Sequence, residues 1–200
     1  MISQYKLHYP LGQTQGVFLA AHGKHRRRVF SHSLILASHR LYTGYMVRKV
    51  AIYIGSILIS FAAGAIGSLA TVPNIPSWYQ HLDKPPLLPP NEIFGPVWTV
   101  LYILMGIALG LLITRKAAGK KSAYVWFGVQ LALNTLWSVV FFGLHLPWVA
   151  AVIILALLAA IVMTALHFRK FVPVTTWLFI PYLAWVCFAT YLNIGVALLN

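Results

Sequence analysis

The side chains able to do chemistry in this sequence are aromatic rings and amides at helical spacing. Gln130, Asn134, Trp137 and Phe141 follow one another at intervals of four, three and four residues, which places them on one face of a helix. Trp98 and Tyr102 stand four apart, and Tyr182, Trp185, Ala189 and Leu192 or Asn193 make a third stripe of the same period. Three helices would thus each offer a flat ring beside a hydrogen-bonding group, with Ala189 leaving room opposite the rings. Such a set, converging on an enclosed void, suits a planar, mostly apolar ligand with a few polar edges. The same spacing also serves plain core packing, and Gln130 and Asn134 equally well tie helices together. Trp126, Trp148 and Trp177 fall near the ends of apolar stretches and read as interfacial anchors.

Other chemistries lack their residues. Asp83 and Glu92 are the only acids, and His145 and His167 lie at the ends of apolar stretches. A proton-coupled carrier needs a titrating group at depth, and a metal site needs clustered ligands. No Ser–His–Asp set and no phosphate-binding glycine loop is present. Acid/base, nucleophilic and metal mechanisms are therefore excluded, no metal or cofactor is implied, and binding remains. Cys187 is the single cysteine, so no disulfide framework forms within the chain. Asp83, Lys84 and Glu92 read as loop charges, forming a salt bridge over a lid or a helix cap.

The elements that must position these groups are membrane helices. Soluble domains carry about 25% charged residues, whereas this chain is 8% charged and 60% hydrophobic, with a mean hydropathy of +0.79. In 22.3 kDa there is too little interior to hide that much apolar surface from water. The net charge of +13 would suit nucleic acid, but the basic residues sit in short runs between apolar stretches, which is a membrane pattern; no nucleic-acid partner is expected. Spanning hydrocarbon takes about 20 apolar residues, and the segments Val50–Ala70, Ile93–Ile113, Ala123–Leu144, Trp148–Leu166 and Val174–Leu199 qualify. Continuous rather than alternating apolar runs make them helices, not barrel strands. The expected fold class is all-α, a five-transmembrane-helix bundle.

Prolines mark the helix edges. Pro89 and Pro90 close the first loop, Asn91 is expected to cap the second helix, and Pro96 and Pro147 fall in first turns, where a missing N–H costs little. Pro173 precedes the fifth helix and Pro181 is expected to kink it. Ser60, Gly64 and Ser68, with Gly106 and Gly110, permit close helix contact, within the bundle or between subunits.

Residues 1–49 form a separate region, expected to be weakly ordered and without chemistry, ahead of a membrane domain over 50–200. They hold eight of the 15 Lys/Arg and five of the eight histidines but no acid. A targeting extension, a basic tail on anionic lipid, and a flank preceding a start at Met46 all account for this composition. With five spans, 14 of the 15 Lys/Arg fall on one side, together with the N-terminus. In a plasma or inner membrane that side is cytoplasmic and the C-terminus is outside; in an organelle membrane the assignment lapses.

The loop and second helix read Trp78–Tyr79, Leu82–Asp83–Lys84–Pro85, Pro89–Pro90 and Phe94–Gly95–Pro96–Val97–Trp98–Thr99–Val100–Leu101–Tyr102. Gln130–Leu131–Ala132–Leu133–Asn134, Trp137 and Phe141–Phe142–Gly143 follow, then Pro181–Tyr182–Leu183–Ala184–Trp185 and Phe188–Ala189–Thr190–Tyr191–Leu192–Asn193. Over residues 50–200 the chain resembles the TspO/MBR family, the translocator proteins, peripheral benzodiazepine receptors and tryptophan-rich sensory proteins. The resemblance implies a homodimer that binds tetrapyrroles such as protoporphyrin IX and haem, and synthetic isoquinoline carboxamide and benzodiazepine ligands, in a pocket opening towards the first loop. Matched position by position, it implies ligand contacts at Tyr79, Trp98, Tyr102, Asn134, Trp137, Trp185 and Ala189. It further implies light- and oxygen-dependent porphyrin degradation in some members, with Trp98 and Trp185 as the catalytic positions; passive transport of porphyrins or other small amphipathic molecules is the alternative. The run Lys84–Pro85–Pro86–Leu87–Leu88 and Glu92 depart from the family by giving a less aromatic lid. No basic residue follows Tyr191, so the sterol-recognition pattern of animal members is missing and sterol transport is not implied.

Overall fold

The computed structural model describes the backbone of residues 13–200 and the side chains of residues 43–200. Five helices follow in order: α1 (Gln13–Ser77), α2 (Phe94–Thr114), α3 (Lys121–Ser138), α4 (Pro147–Arg169) and α5 (Thr175–Leu199). Among the described residues each contributes a stretch long and apolar enough to cross a membrane, the first being Thr43–Ser77. The protein is an all-α, multi-pass integral membrane protein.

By its internal contacts the chain divides into two compact units, Met1–Arg48 and Lys49–Asn200. Of the first, the backbone is helical from Gln13 and side chains are described only from Thr43. The expected roles and weak order of residues 1–49 lie largely outside the described residues.

In the second unit the helices form a ring in the order α1, α2, α5, α4, α3. α4 packs between α3 and α5, and α5 packs on α2. The ring closes through α1, where glycines let backbones approach. A Cβ at Gly106 would strike the Ile57 backbone, one at Gly110 the Tyr53 ring, and one at Gly64 the Tyr102 ring. These small residues thus serve contact within the bundle, between α1 and α2. On its other flank α1 receives the Thr135 hydroxyl, which donates to the Ala63 carbonyl at 2.9 Å.

Most boundaries agree with the apolar stretches, and the differences have local causes. α1 runs seven residues past Ala70, through Pro73 and Pro76. Each proline deprives one carbonyl of its partner, while Thr71, Asn74 and Ser77 turn their side chains back onto the carbonyls of Gly67, Ala70 and Pro73 and hold the turns together. Asn91 does not cap α2. It opens a 3₁₀ turn, Asn91–Ile93, that runs straight into the helix, Ile93 takes the cap position, and no side-chain cap bond forms. Pro147 stands at the first position of α4 and Pro181 lies inside α5, which continues past it. Lys120 closes the C-terminus of α2, donating to the carbonyls of Leu112 at 2.9 Å and Arg115 at 2.8 Å, where the helix dipole favours a cation.

α3 ends in a π turn, Val139–Gly143, in which the Leu144 N–H reaches back five residues to the Val139 carbonyl at 2.9 Å. Nothing in the residue pattern announces it. Within it the Phe141 and Phe142 rings pack edge to face, with centroids 4.8 Å apart.

Candidate ligand-binding cavity

A cavity of about 480 Å³ lies between α1, α2 and the end of α3. α1 lines it with Phe61, Gly64, Ala65, Ser68, Val72 and Ile75, α2 with Phe94, Gly95, Trp98, Thr99 and Tyr102, α3 and its π turn with Trp137, Ser138 and Phe142, and Tyr79 reaches in from the first loop. Among the described residues no Lys, Arg, His, Asp or Glu lines it. Its size falls in the range of small-molecule pockets.

Trp98 is at the centre of the aromatic wall. Its ring lies 5.6 Å from Tyr102 at an interplanar angle of 26°, 6.5 Å from Trp137 at 32°, and edge-on to Tyr182 at 6.2 Å. Behind the wall a polar network fixes the rings. The Tyr102 hydroxyl donates to Asn134 Oδ1 at 2.9 Å, Asn134 Nδ2 donates to the Tyr182 oxygen at 3.3 Å, and the Tyr182 hydroxyl donates to Gln130 Oε1 at 3.0 Å. Gln130 Nε2 ends the chain on the Met105 sulfur at 3.6 Å. Trp137 Nε1 donates to Asn193 Oδ1 at 2.9 Å, and Asn193 Nδ2 to the Pro147 carbonyl at 2.8 Å. In hydrocarbon each of these groups needs such a partner, and the network leaves the cavity ring faces rather than hydroxyls.

Of the residues implied by sequence, Tyr79, Trp98, Tyr102 and Trp137 line the cavity, whereas Asn134, Trp185 and Ala189 do not. Asn134 is buried one layer back, as the acceptor that orients Tyr102. Ala189 is buried in α5. Trp185 packs edge-on against Phe94, a lining residue, at 5.6 Å, and its Nε1 is buried with no hydrogen-bond partner. α5 therefore stands behind the void rather than beside it, and α1 takes its place. The signal for α1 was present as Gly64 and Ser68 with Phe61 and Ala65 at helical spacing, but small residues of that kind read as helix-contact positions.

The first loop folds over this end of the bundle and is fastened to α5. The Asp83 N–H donates to Asn200 Oδ1 and Asn200 Nδ2 donates to the Asp83 carbonyl, both at 3.0 Å. The Tyr191 hydroxyl donates to the Pro86 carbonyl at 2.6 Å. Pro85 is buried, its ring within 2.6 Å of where a side chain on Gly195 would begin. Lys84 caps carbonyls of its own loop, at Gln80 and Leu82, and lies 5.3 Å over the Tyr79 ring. Lys84 is thus a loop charge, as expected, and of the two roles left open for it, a lid salt bridge or a cap, its amine takes that of satisfying backbone acceptors. Burial pushes the Tyr79 hydroxyl above its ordinary pKa of 10.0. On the opposite flank Trp78 stacks on His145 at 4.3 Å, and His145 Nε2 pairs with Asn74 Oδ1 at 3.0 Å.

Comparison with known proteins matches most of the five-span region to one family. The model of the TspO/MBR family matches residues 56–199. The tryptophan-rich protein TspO of Archaeoglobus fulgidus is 39% identical over 147 residues, covering 74% of this chain and 95% of that one. Its counterpart in Chlorobaculum tepidum is 41% identical over 157 residues, covering 77% and 97%. The human translocator protein is 37% identical over 119 residues, covering 58% and 70%. With five spans in sequence and a family match across nearly the whole of its membrane region, this chain belongs to the TspO/MBR family.

Proposed function

We propose that the protein is a membrane receptor for tetrapyrroles, protoporphyrin IX or haem, held in the cavity between α1, α2 and α3. The observation that carries the reading is the Trp98–Tyr102–Trp137 wall, in which the Tyr102 and Trp137 rings are tilted by only 26° and 32° from Trp98, beside a void of about 480 Å³ that no charged side chain among the described residues lines. A planar macrocycle gains stacking and apolar burial there. The unpaired Trp185 N–H supports an extension of the site. A buried donor without an acceptor is costly, and a turn of the Phe94 ring would open the void to it, so that a polar edge of the ligand accepts from Trp185. Isoquinoline and benzodiazepine ligands, which are flat and carry carbonyl acceptors, fit the same description.

Light-driven degradation of bound porphyrin needs no acid or base from the protein. Excited porphyrin passes its energy to dioxygen, and the reactive oxygen then attacks the macrocycle and the indoles within its reach, that of Trp98 on the wall and, once the Phe94 ring has turned, that of Trp185. The test is a titration of protoporphyrin IX into detergent-solubilised protein, followed by illumination in air. Saturable quenching of tryptophan emission with a rise in melting temperature is expected, since a ligand bound to the native state must stabilise it. Loss of porphyrin absorbance under light should fall to the rate of free porphyrin in the Trp98→Phe, Trp185→Phe double variant. Binding without photobleaching beyond that of free porphyrin would leave a receptor that is not an enzyme; flux across proteoliposomes without chemical change would favour passive transport. Absence of saturable quenching would refute the receptor reading. We propose further that the functional unit is a homodimer, with the basic loops on the cytoplasmic side in a plasma or inner membrane.

A further inference from the structure

The two sides of the cavity differ in how they are closed. Towards α5 the lid is fastened by the reciprocal Asp83–Asn200 pair, the Tyr191–Pro86 bond and the seating of Pro85 against Gly195. Along the seam between α1 and α2 it is open. Ala65, Ser68 and Val72 on one lip and Gly95 and Thr99 on the other line the cavity and are exposed, Val72 by 64% of its surface. A Cβ built on Gly95 would meet nothing within 4 Å. Val72 lies five residues and Ala65 twelve residues before the end of α1 at Ser77, which at 1.5 Å per residue is about 8 and about 18 Å along the helix. Both lips belong to helices long and apolar enough to span a membrane, so an α1 that leaves a hydrocarbon layer about 30 Å thick near Ser77 would set this seam against acyl chains.

We infer that ligands enter and leave this cavity sideways, from the lipid through the α1–α2 seam, and that the site takes planar amphiphiles dissolved in the membrane while rejecting water-borne polyanions. The inference rests on the tetrapyrrole reading above and adds its route and charge class. Two features support the exclusion. No cation among the described residues lines the cavity to neutralise carboxylates, and an uncompensated charge at that depth is strongly disfavoured. The propionates on one edge of protoporphyrin IX must therefore lie towards the open seam and the headgroups, which carboxylates all round the ring of a polyanion cannot do. The polar lip groups are already satisfied locally, the Ser68 hydroxyl donating to the Ala65 carbonyl at 2.7 Å and the Thr99 hydroxyl to Gly95 at 2.9 Å. A sparingly charged ring system thus passes them without stripping a bound partner.

Stopped-flow quenching in liposomes tests this, with protoporphyrin IX preloaded in the membrane and chased by empty vesicles. Narrowing either lip, with Val72→Phe or Thr99→Phe at exposed positions that the fold tolerates, should slow both loading and release about tenfold. A variant that merely filled the site would release faster. Unfastening the lid with Asn200→Ala and Tyr191→Phe should leave both rates unchanged. Uroporphyrin, a polycarboxylate that stays in water, should give no saturable quenching. The inference is overturned if the lid variants accelerate exchange while the lip variants do not, or if uroporphyrin binds saturably. A wild-type protein that shows no saturable protoporphyrin quenching at all overturns both readings; saturable binding with lid-controlled rates overturns only the route.

Discussion

Asn134→Leu gives the sharpest test of the polar network behind the aromatic wall. Asn134 is 2% exposed and serves two bonds, accepting from Tyr102 at 2.9 Å and donating to Tyr182 at 3.3 Å. Leucine has the same branched arrangement of heavy atoms with bulkier methyl ends, so the change removes polarity without opening a void. Interhelical hydrogen bonds in membranes are worth about 0.6 kcal/mol on average and about 1.7 at most, so the loss of two should cost roughly 1–3 kcal/mol. Tyr182 keeps its acceptor on Gln130 at 3.0 Å, but Tyr102 is left with a hydroxyl and no partner. Adding Tyr102→Phe removes that orphan, so the double variant should be destabilised by about 1 kcal/mol less than the sum of the singles. The same orphan hydroxyl must turn towards the cavity, and protoporphyrin affinity should fall about tenfold, a change of about 1.4 kcal/mol. Equilibrium unfolding of the four proteins in mixed micelles, followed by circular dichroism, reads the cycle. Additive losses, or a single variant as stable as wild type, would refute the claim that this network orients the wall.

Other outcomes follow from neighbouring contacts. Gly106→Val should destabilise the bundle by more than about 2 kcal/mol in the same assay, since the added atoms meet the Ile57 backbone, which yields less than a side chain can. Asn200→Ala should remove the acceptor of the Asp83 amide and raise its hydrogen-exchange rate, with a stability loss of about 1 kcal/mol or less. Tyr79 has its pKa raised by burial, so the folded state holds the proton where the unfolded chain has lost it. Its contribution is fully present below pH 10.0, its unfolded value, and is lost as pH rises beyond it. A melting-temperature profile should therefore fall less steeply above pH 10.0 in Tyr79→Phe than in wild type.

The membrane helices were legible because burial in lipid imposes a long uncharged run, and each observed span covers most of its apolar stretch. The stripe Gln130–Asn134–Trp137 was legible for the same reason, since a helix carries its period in the chain. Which rings face the void was not, because that depends on helix rotation and neighbours. Tyr182 and Trp185 share the spacing of a lining stripe, yet Tyr182 is fully buried within the network and Trp185 packs behind Phe94. The π turn after Ser138 shifts the register by one residue, so Phe142 lines the cavity where a regular continuation from Trp137 pointed to Phe141. The lid fastening depends on Asn200 meeting Asp83 across 117 positions of sequence, a pairing that no local pattern encodes.

In the proposed complex a planar tetrapyrrole occupies the void against Trp98 and Tyr102. Gly64 lines that void, and a side chain there would meet the Tyr102 ring, so Gly64→Leu fills the proposed site from the α1 wall. The direct measurement is a protoporphyrin IX titration of wild type and of Gly64→Leu, each shown to keep its helical circular dichroism, following tryptophan emission and melting temperature together. One saturable quenching step with a stabilising shift is expected in wild type, and neither in the variant. Equal quenching and equal stabilisation in both proteins would contradict that occupancy.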